Sequence, residues 1–241
     1  MANLIDCMHL GRDRVIGAWE VRPGVIVDPG PASCAHTMLA GLEAEPRALL
    51  LTHIHLDHAG ATGLLCRRYP KLEVYVHERG APHLIEPSKL LESAGRLHGD
   101  DMWELWGEVA PVPEERIHAL AGGETVEGFR VAYTPGHASH HVCYLHEDSG
   151  DAYVGDTAGV RIPPYDHTIA PTPPPDIDVE QWDASLEILR GWKPQRLALT
   201  HFGAVEDAER QFDAVHEALH AQAEQARDSS LEDFVEWMRA R

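Results

Sequence analysis

The stretch Ala48-Leu49-Leu50-Leu51-Thr52-His53-Ile54-His55-Leu56-Asp57-His58 decides the reading of this chain. An apolar run reads as a strand over 48–52, and four metal-competent side chains follow it within six residues. In an extended segment alternate residues share a side, so His53 and His55 point the same way. The turn that follows can bring Asp57 and His58 toward a second position. Neutral imidazole with carboxylate is the donor set that borderline divalent metals use.

Three further places repeat the arrangement: Thr134-Pro135-Gly136-His137, Val154-Gly155-Asp156-Thr157 and Leu199-Thr200-His201. Each puts one ligand-type side chain just beyond a predicted strand. The chain has 17 histidines in 241 residues. His9, His36, His77, His83, His98, His118, His146, His216 and His220 are read as ordinary surface or core hydrogen-bonding residues. Four separated cysteines, with no Cys-x-x-Cys pair, are read as buried free thiols.

With its histidine run and the later His, Asp and His in this order, the sequence resembles the metallo-β-lactamase superfamily from Val27-Asp28-Pro29-Gly30 to His201. The resemblance implies an α/β fold, a four-layer αββα sandwich. It implies two divalent metal ions per chain, zinc favoured over iron or manganese. His53, His55 and His137 would hold one, Asp57, His58 and His201 the other, and Asp156 would bridge them. Asp57 is the expected catalytic residue. Asp28 would orient a ligand histidine from behind, and His141 would play a similar supporting part.

The activity implied is hydrolysis of a small-molecule ester, thioester or lactone by a metal-bridging hydroxide. Asp156 at the bridging position is unlike true β-lactamases. The length leaves little room for the separate helical domain that glyoxalase II uses for glutathione. Gly159 also stands near where lactonases carry a tyrosine. The alternatives are a mononuclear iron oxidoreductase resembling persulfide dioxygenases, and a metal-binding protein without turnover.

Around these motifs the chain reads as one domain over 1–241, without repeats or linkers. Early strands are predicted over 4–9, 15–21 and 25–28, then a helix after Ser33 as N-cap. A helix over 60–69 and a strand over 73–77 follow the histidine run. Residues 87–113 read as a helical insertion, with Met102, Leu105, Trp106 and Val109 at helical spacing. Strands over 117–120, 129–134, 142–145 and 152–154 read as a second, mostly hairpin-connected set. Six prolines make 162–175 a stiff loop whose Arg161, Tyr165 and His167 are candidates to meet substrate. A helix over 179–191, a strand over 196–200 and a long helix from about Val205 complete it.

With 39 acidic against 20 basic residues, the formal charge of −19 repels phosphate backbones and anionic lipid. The expected partner is therefore a small-molecule substrate rather than nucleic acid or membrane, with a homodimer compatible. No signal-like or bilayer-length apolar run is seen, so a cytoplasmic location is expected.

Overall fold

A computed structural model describes residues 2–165 and 167–240. Its first sheet holds β1 (Asn3–Asp6), β2 (Gly17–Arg22), β3 (Val25–Val27), β4 (Ala48–Leu50), β5 (Glu73–His77) and β6 (Ile117–Leu120), in that order. The pairing is antiparallel through β3 and parallel from β3 to β6. The second sheet has the order β12-β11-β10-β9-β8-β7. Its members are β7 (Thr125–Val126), β8 (Phe129–Tyr133), β9 (Val142–His146), β10 (Asp151–Tyr153), β11 (Arg196–Leu199) and β12 (Gly203–Val205). Only β10 and β11 run parallel there.

The helices are α1 (Ala35–Ala40), α2 (Leu56–Ala59), α3 (Thr62–Arg68), α4 (Ala81–Ile85), α5 (Ser88–His98), α6 (Met102–Trp106), α7 (Val179–Trp192), α8 (Ala208–Asp228) and α9 (Leu231–Arg239). Strand alternation sorts the apolar residues into three buried layers. Val25, Val27, Ala48 and Leu50 from the first sheet meet Phe129, Val131, Val142, Tyr144 and Tyr153 from the second. The opposite faces, Ile26 and Leu49 on one side and Cys143 and Leu145 on the other, pack against helices. Three apolar layers between four structural layers make the αββα sandwich.

Several local expectations are corrected. Ser33 does not cap a helix: it sits in a short 3₁₀ turn, and its hydroxyl donates to the Leu105 carbonyl at 2.7 Å. β6 joins the first sheet, parallel to β5, because the α4–α6 segment acts as the crossover between them. The predicted insertion is two helices broken at Gly99, and Val109 lies beyond both. Val205 ends β12, and the long helix starts at Ala208 behind Asp207, whose side chain accepts from the Arg210 amide at 3.1 Å. Among the described residues no helix is long and apolar enough to cross a membrane.

One packing contact fixes how β8 and α7 support the site. Gly136, at φ +130°, lies so near α7 that an added Cβ would sit 2.4 Å from both Cα and N of Trp182. Trp182 is fully buried and donates Nε1–H to the Thr157 carbonyl at 2.7 Å, while Ser185 donates to the Pro135 carbonyl at 2.6 Å. Gly136→Ala should therefore cost about 2–3 kcal/mol, since backbone rather than a flexible side chain must move. Urea unfolding measures it, and an unchanged midpoint would mean that α7 retreats freely.

Candidate metal centre

Each strand end delivers one part of a buried cluster. The chain leaves β4 through Thr52 and His53, and α2 turns Asp57 and His58 back toward the same point. His137 follows β8, Asp156 follows β10 and His201 follows β11. Gly155, at φ +46°, lets the β10 end come close: an added Cβ would lie 2.5 Å from Thr52 Oγ1.

His53, His55 and His137 form one triad. His55 Nδ1 lies 2.9 Å from His53 Nε2 and 3.1 Å from His137 Nε2. Asp57, His58 and His201 form another, with His201 Nε2 at 3.2 Å and His58 Nε2 at 3.8 Å from Asp57 Oδ2. Asp156 stands between them. Its Oδ2 is 3.4 Å from His137 Nε2, and its Oδ1 is 3.2 Å from His58 Nε2 and 3.7 Å from His201 Nε2.

Surrounding contacts fix which nitrogen faces inward. His58 Nδ1 donates to Asp28 Oδ2 at 2.8 Å, His137 Nδ1 to the Pro171 carbonyl at 2.9 Å and His201 Nδ1 to the Val15 carbonyl at 2.6 Å. Thr52 Oγ1 donates to Asp28 Oδ2 at 2.6 Å and so can accept from His53 Nδ1 at 3.1 Å. Asp28 thereby orients His58 directly and His53 through Thr52, with Thr200 Oγ1 as a further donor at 3.2 Å. His141 accepts from the Asp156 amide at 3.3 Å, which makes its Nδ1 the donor toward Thr134 Oγ1 at 2.9 Å. It braces the Asp156 backbone.

This network fits cations. With their Nδ1 protons committed outward, His53 and His137 present bare Nε2 atoms to His55 Nδ1, and one proton there could bond only one of them. His58 Nε2 and Asp156 Oδ1 face each other at 3.2 Å, but misaligned, so neither buried atom is satisfied by a hydrogen bond, a cost of about 1–3 kcal/mol each unless something else binds them. Burial lowers the His53, His55 and His137 pKa values, His55 to about 4, keeping these imidazoles in the neutral, coordinating form. At His58 and His201 burial is outweighed by the nearby carboxylates, chiefly Asp156, and both are raised. Asp57 and Asp156 stay below the carboxylate range because His58, with its histidine neighbours, overcomes their burial.

The family profile described as the metallo-β-lactamase superfamily matches residues 19–201. The chain belongs to the metallo-β-lactamase superfamily. It is 32% identical over 164 residues to the metallo-β-lactamase fold-containing protein ST1585 of Sulfurisphaera tokodaii, which covers 65% of this chain and 60% of that one. The crystal structure of the archaeal superfamily protein ST1585 superposes with a TM-score of 0.72 at 26% identity, covering 92% of this chain and 86% of that chain. A hydroxyacylglutathione hydrolase from a Synechococcus strain is 32% identical over 142 residues, 57% of this chain and 45% of its own length. The chain thus spans about two fifths to three fifths of the length of these curated relatives. TTHA1623, crystallised in a di-iron-bound form, gives a TM-score of 0.62 at 28% identity, covering 83% of this chain and 93% of that one.

The cluster opens into a cavity of about 660 Å³. Its wall includes Leu90, Ala94 and Leu97 of α5 and Trp106 of α6, with His55, Asp57, His137, Asp156 and His201 at its base. The three loop residues expected at the substrate are placed elsewhere. Arg161 and His167 line a separate cavity against α8, and Tyr165 is 72% exposed. The part of the proline-rich loop that reaches the cluster cavity is Pro171 and Pro173 to Asp176. His83, His98, Arg79, Lys89 and His140 also line it; sequence spacing alone carries no signal for the first four. His140 adjoins the matched His137 motif, and its Nδ1 accepts from the Ile54 amide at 3.4 Å.

Proposed function

We propose that the protein is a dinuclear metal-dependent hydrolase of a small-molecule ester, thioester or lactone. The observation that carries this is the placement of Asp156, with one carboxylate oxygen toward His137 and the other toward His58 and His201. His53, His55 and His137 would hold one cation, Asp57, His58 and His201 the other, and Asp156 would touch both. When bound, such a pair supplies a water acidified toward neutrality and a Lewis acid for the substrate carbonyl oxygen.

The chain's own residues do the rest. Asp28, the Pro171 carbonyl and the Val15 carbonyl hold the Nδ1 protons of His58, His137 and His201 away from the centre, so that all three turn Nε2 inward, and a cation would displace the Nε2 proton that the carboxylates favour on His58 and His201. Asp57, held ionised by His58 and His201, would present Oδ2 as an anionic ligand atom to the second cation. The apolar wall of α5 and α6 suits an acyl body, and Arg79 and Lys89 add cationic groups to the same lining.

A cysteine nucleophile is disfavoured. All four thiols are buried, and burial pushes Cys7 and Cys143 to about 12 and Cys66 to about 11. Replacing Cys7, Cys34, Cys66 and Cys143 together by serine or alanine should leave turnover within a few-fold, apart from packing losses. The measurement is kcat/KM on ester, thioester and lactone panels with metal content assayed in parallel. A folded, metal-loaded variant without activity would sink the hydrolytic mechanism, and so would a wild-type protein carrying one iron and consuming dioxygen.

A further inference from the structure

We propose a separate metal position on the outer helical layer, built by Asp183 of α7 with His216 and His220 of α8. The two histidines lie four residues apart on α8, the spacing that puts side chains on one helix face one turn apart. Their rings are 4.3 Å apart between centroids. Both turn toward the same carboxylate across the helix pair. His216 Nδ1 is 2.8 Å from Asp183 Oδ1, and His220 Nε2 is 2.8 Å from Asp183 Oδ2. One ligand atom from each residue lies within 4.8 Å of the other two.

Two imidazoles and one carboxylate are the donors of a borderline divalent cation such as zinc, nickel or copper. The side chains are between a third and a half exposed, so a cation can enter from solvent and water can complete its shell. The position lacks the buried orphan atoms of the strand-end cluster, and it accordingly suits a site of lower affinity that exchanges with solution. Its consequence is mechanical. Asp183 follows Trp182, which donates to the Thr157 carbonyl and packs edge-on against His137, with ring centroids 5.4 Å apart. A cation joining α7 to α8 would therefore clamp the helix pair that backs the strand-end cluster.

Zinc titrated into the metal-stripped full chain tests this through the difference between variants, whatever the number bound at the strand ends. After equilibrium dialysis at micromolar free zinc, wild type should retain one more zinc per chain than the His216→Gln, His220→Gln double variant. Asp156→Ala should keep the helical position while losing metal from the cluster, so failure of the cluster reading and failure of this one are told apart. Copper added to zinc-loaded wild type should give an electron paramagnetic resonance signal split by two nitrogens, absent in the double variant. Equal zinc content in wild type and the folded double variant would overturn the proposal, as would a copper signal unchanged by the substitutions. The Asp183 contacts would then be ordinary histidine–carboxylate hydrogen bonds.

Discussion

Asp156→Ala should lower turnover by about three orders of magnitude or more and leave the purified protein short of at least one metal per chain. The size follows from position. Asp156 is a carboxylate within 4 Å of histidines from both triads, so in the proposed dinuclear site its removal would leave two cations without the anion that offsets their repulsion. It also strands His58, raised chiefly by Asp156 and then by Asp57 and Asp28. Asp151→Asn is the matched control. Asp151 lies five residues upstream in β10 and pairs with Arg196 at 2.7 Å, so its loss should cost modest stability and no metal. Kinetics and elemental analysis on the two variants decide the matter. Asp156→Ala protein that retains two metals and near wild-type activity would refute the bridging role.

The cluster was legible because its residues follow strands. A short apolar run followed by His, Asp or Gly-His marks a chain leaving a sheet edge, and β4, β8, β10 and β11 all release their ligand-type residue within a few positions. The same reading missed how β6 is placed, because apolar alternation reports that a strand has two faces and not which sheet it joins. Nor did it indicate which part of the proline-rich loop lines the cluster cavity, where Pro171 and Pro173 to Asp176 stand rather than Arg161, Tyr165 or His167. Composition marks 162–175 as irregular, but its path is set by distant partners. Val160 and Ile169 form a bridge, and Gln222 of α8 bonds both the amide and the carbonyl of Ala170 at 3.2 and 2.9 Å. Those contacts tie Ala170 to α8 and leave Pro171 onward to reach His137. Likewise His216 and His220 look like any exposed helical histidines until α7 brings Asp183 beside them.

Metal removal should lower the melting temperature by about 15 °C or more. Each cation that binds only the folded chain adds RT ln(1 + [L]/Kd), about 4 kcal/mol at a thousand-fold excess over Kd, and about 1 kcal/mol shifts a chain of this size by roughly 2–4 °C. The metal-free protein should also be acid-sensitive. Burial sets His53, His55, His137, His140 and His141 below the ordinary histidine value, His55 to about 4 and His140 to about 3. For these five the unfolded chain takes up protons first as pH falls below about 6.5, so the stability they contribute near neutrality is lost toward pH 4. His58 and His201 work in the opposite sense, their contribution complete below the ordinary value and lost as pH rises through their raised ones. Asp57 and Asp156, held low, lose theirs only below the carboxylate range. His77 is lowered by burial too, so below about pH 6.5 six lowered histidines against two raised ones make the balance fall with acid. Scanning calorimetry of chelated protein between pH 6.5 and 5 should therefore show a falling melting temperature, and a flat or rising profile there would mean that these imidazoles are not held neutral by burial.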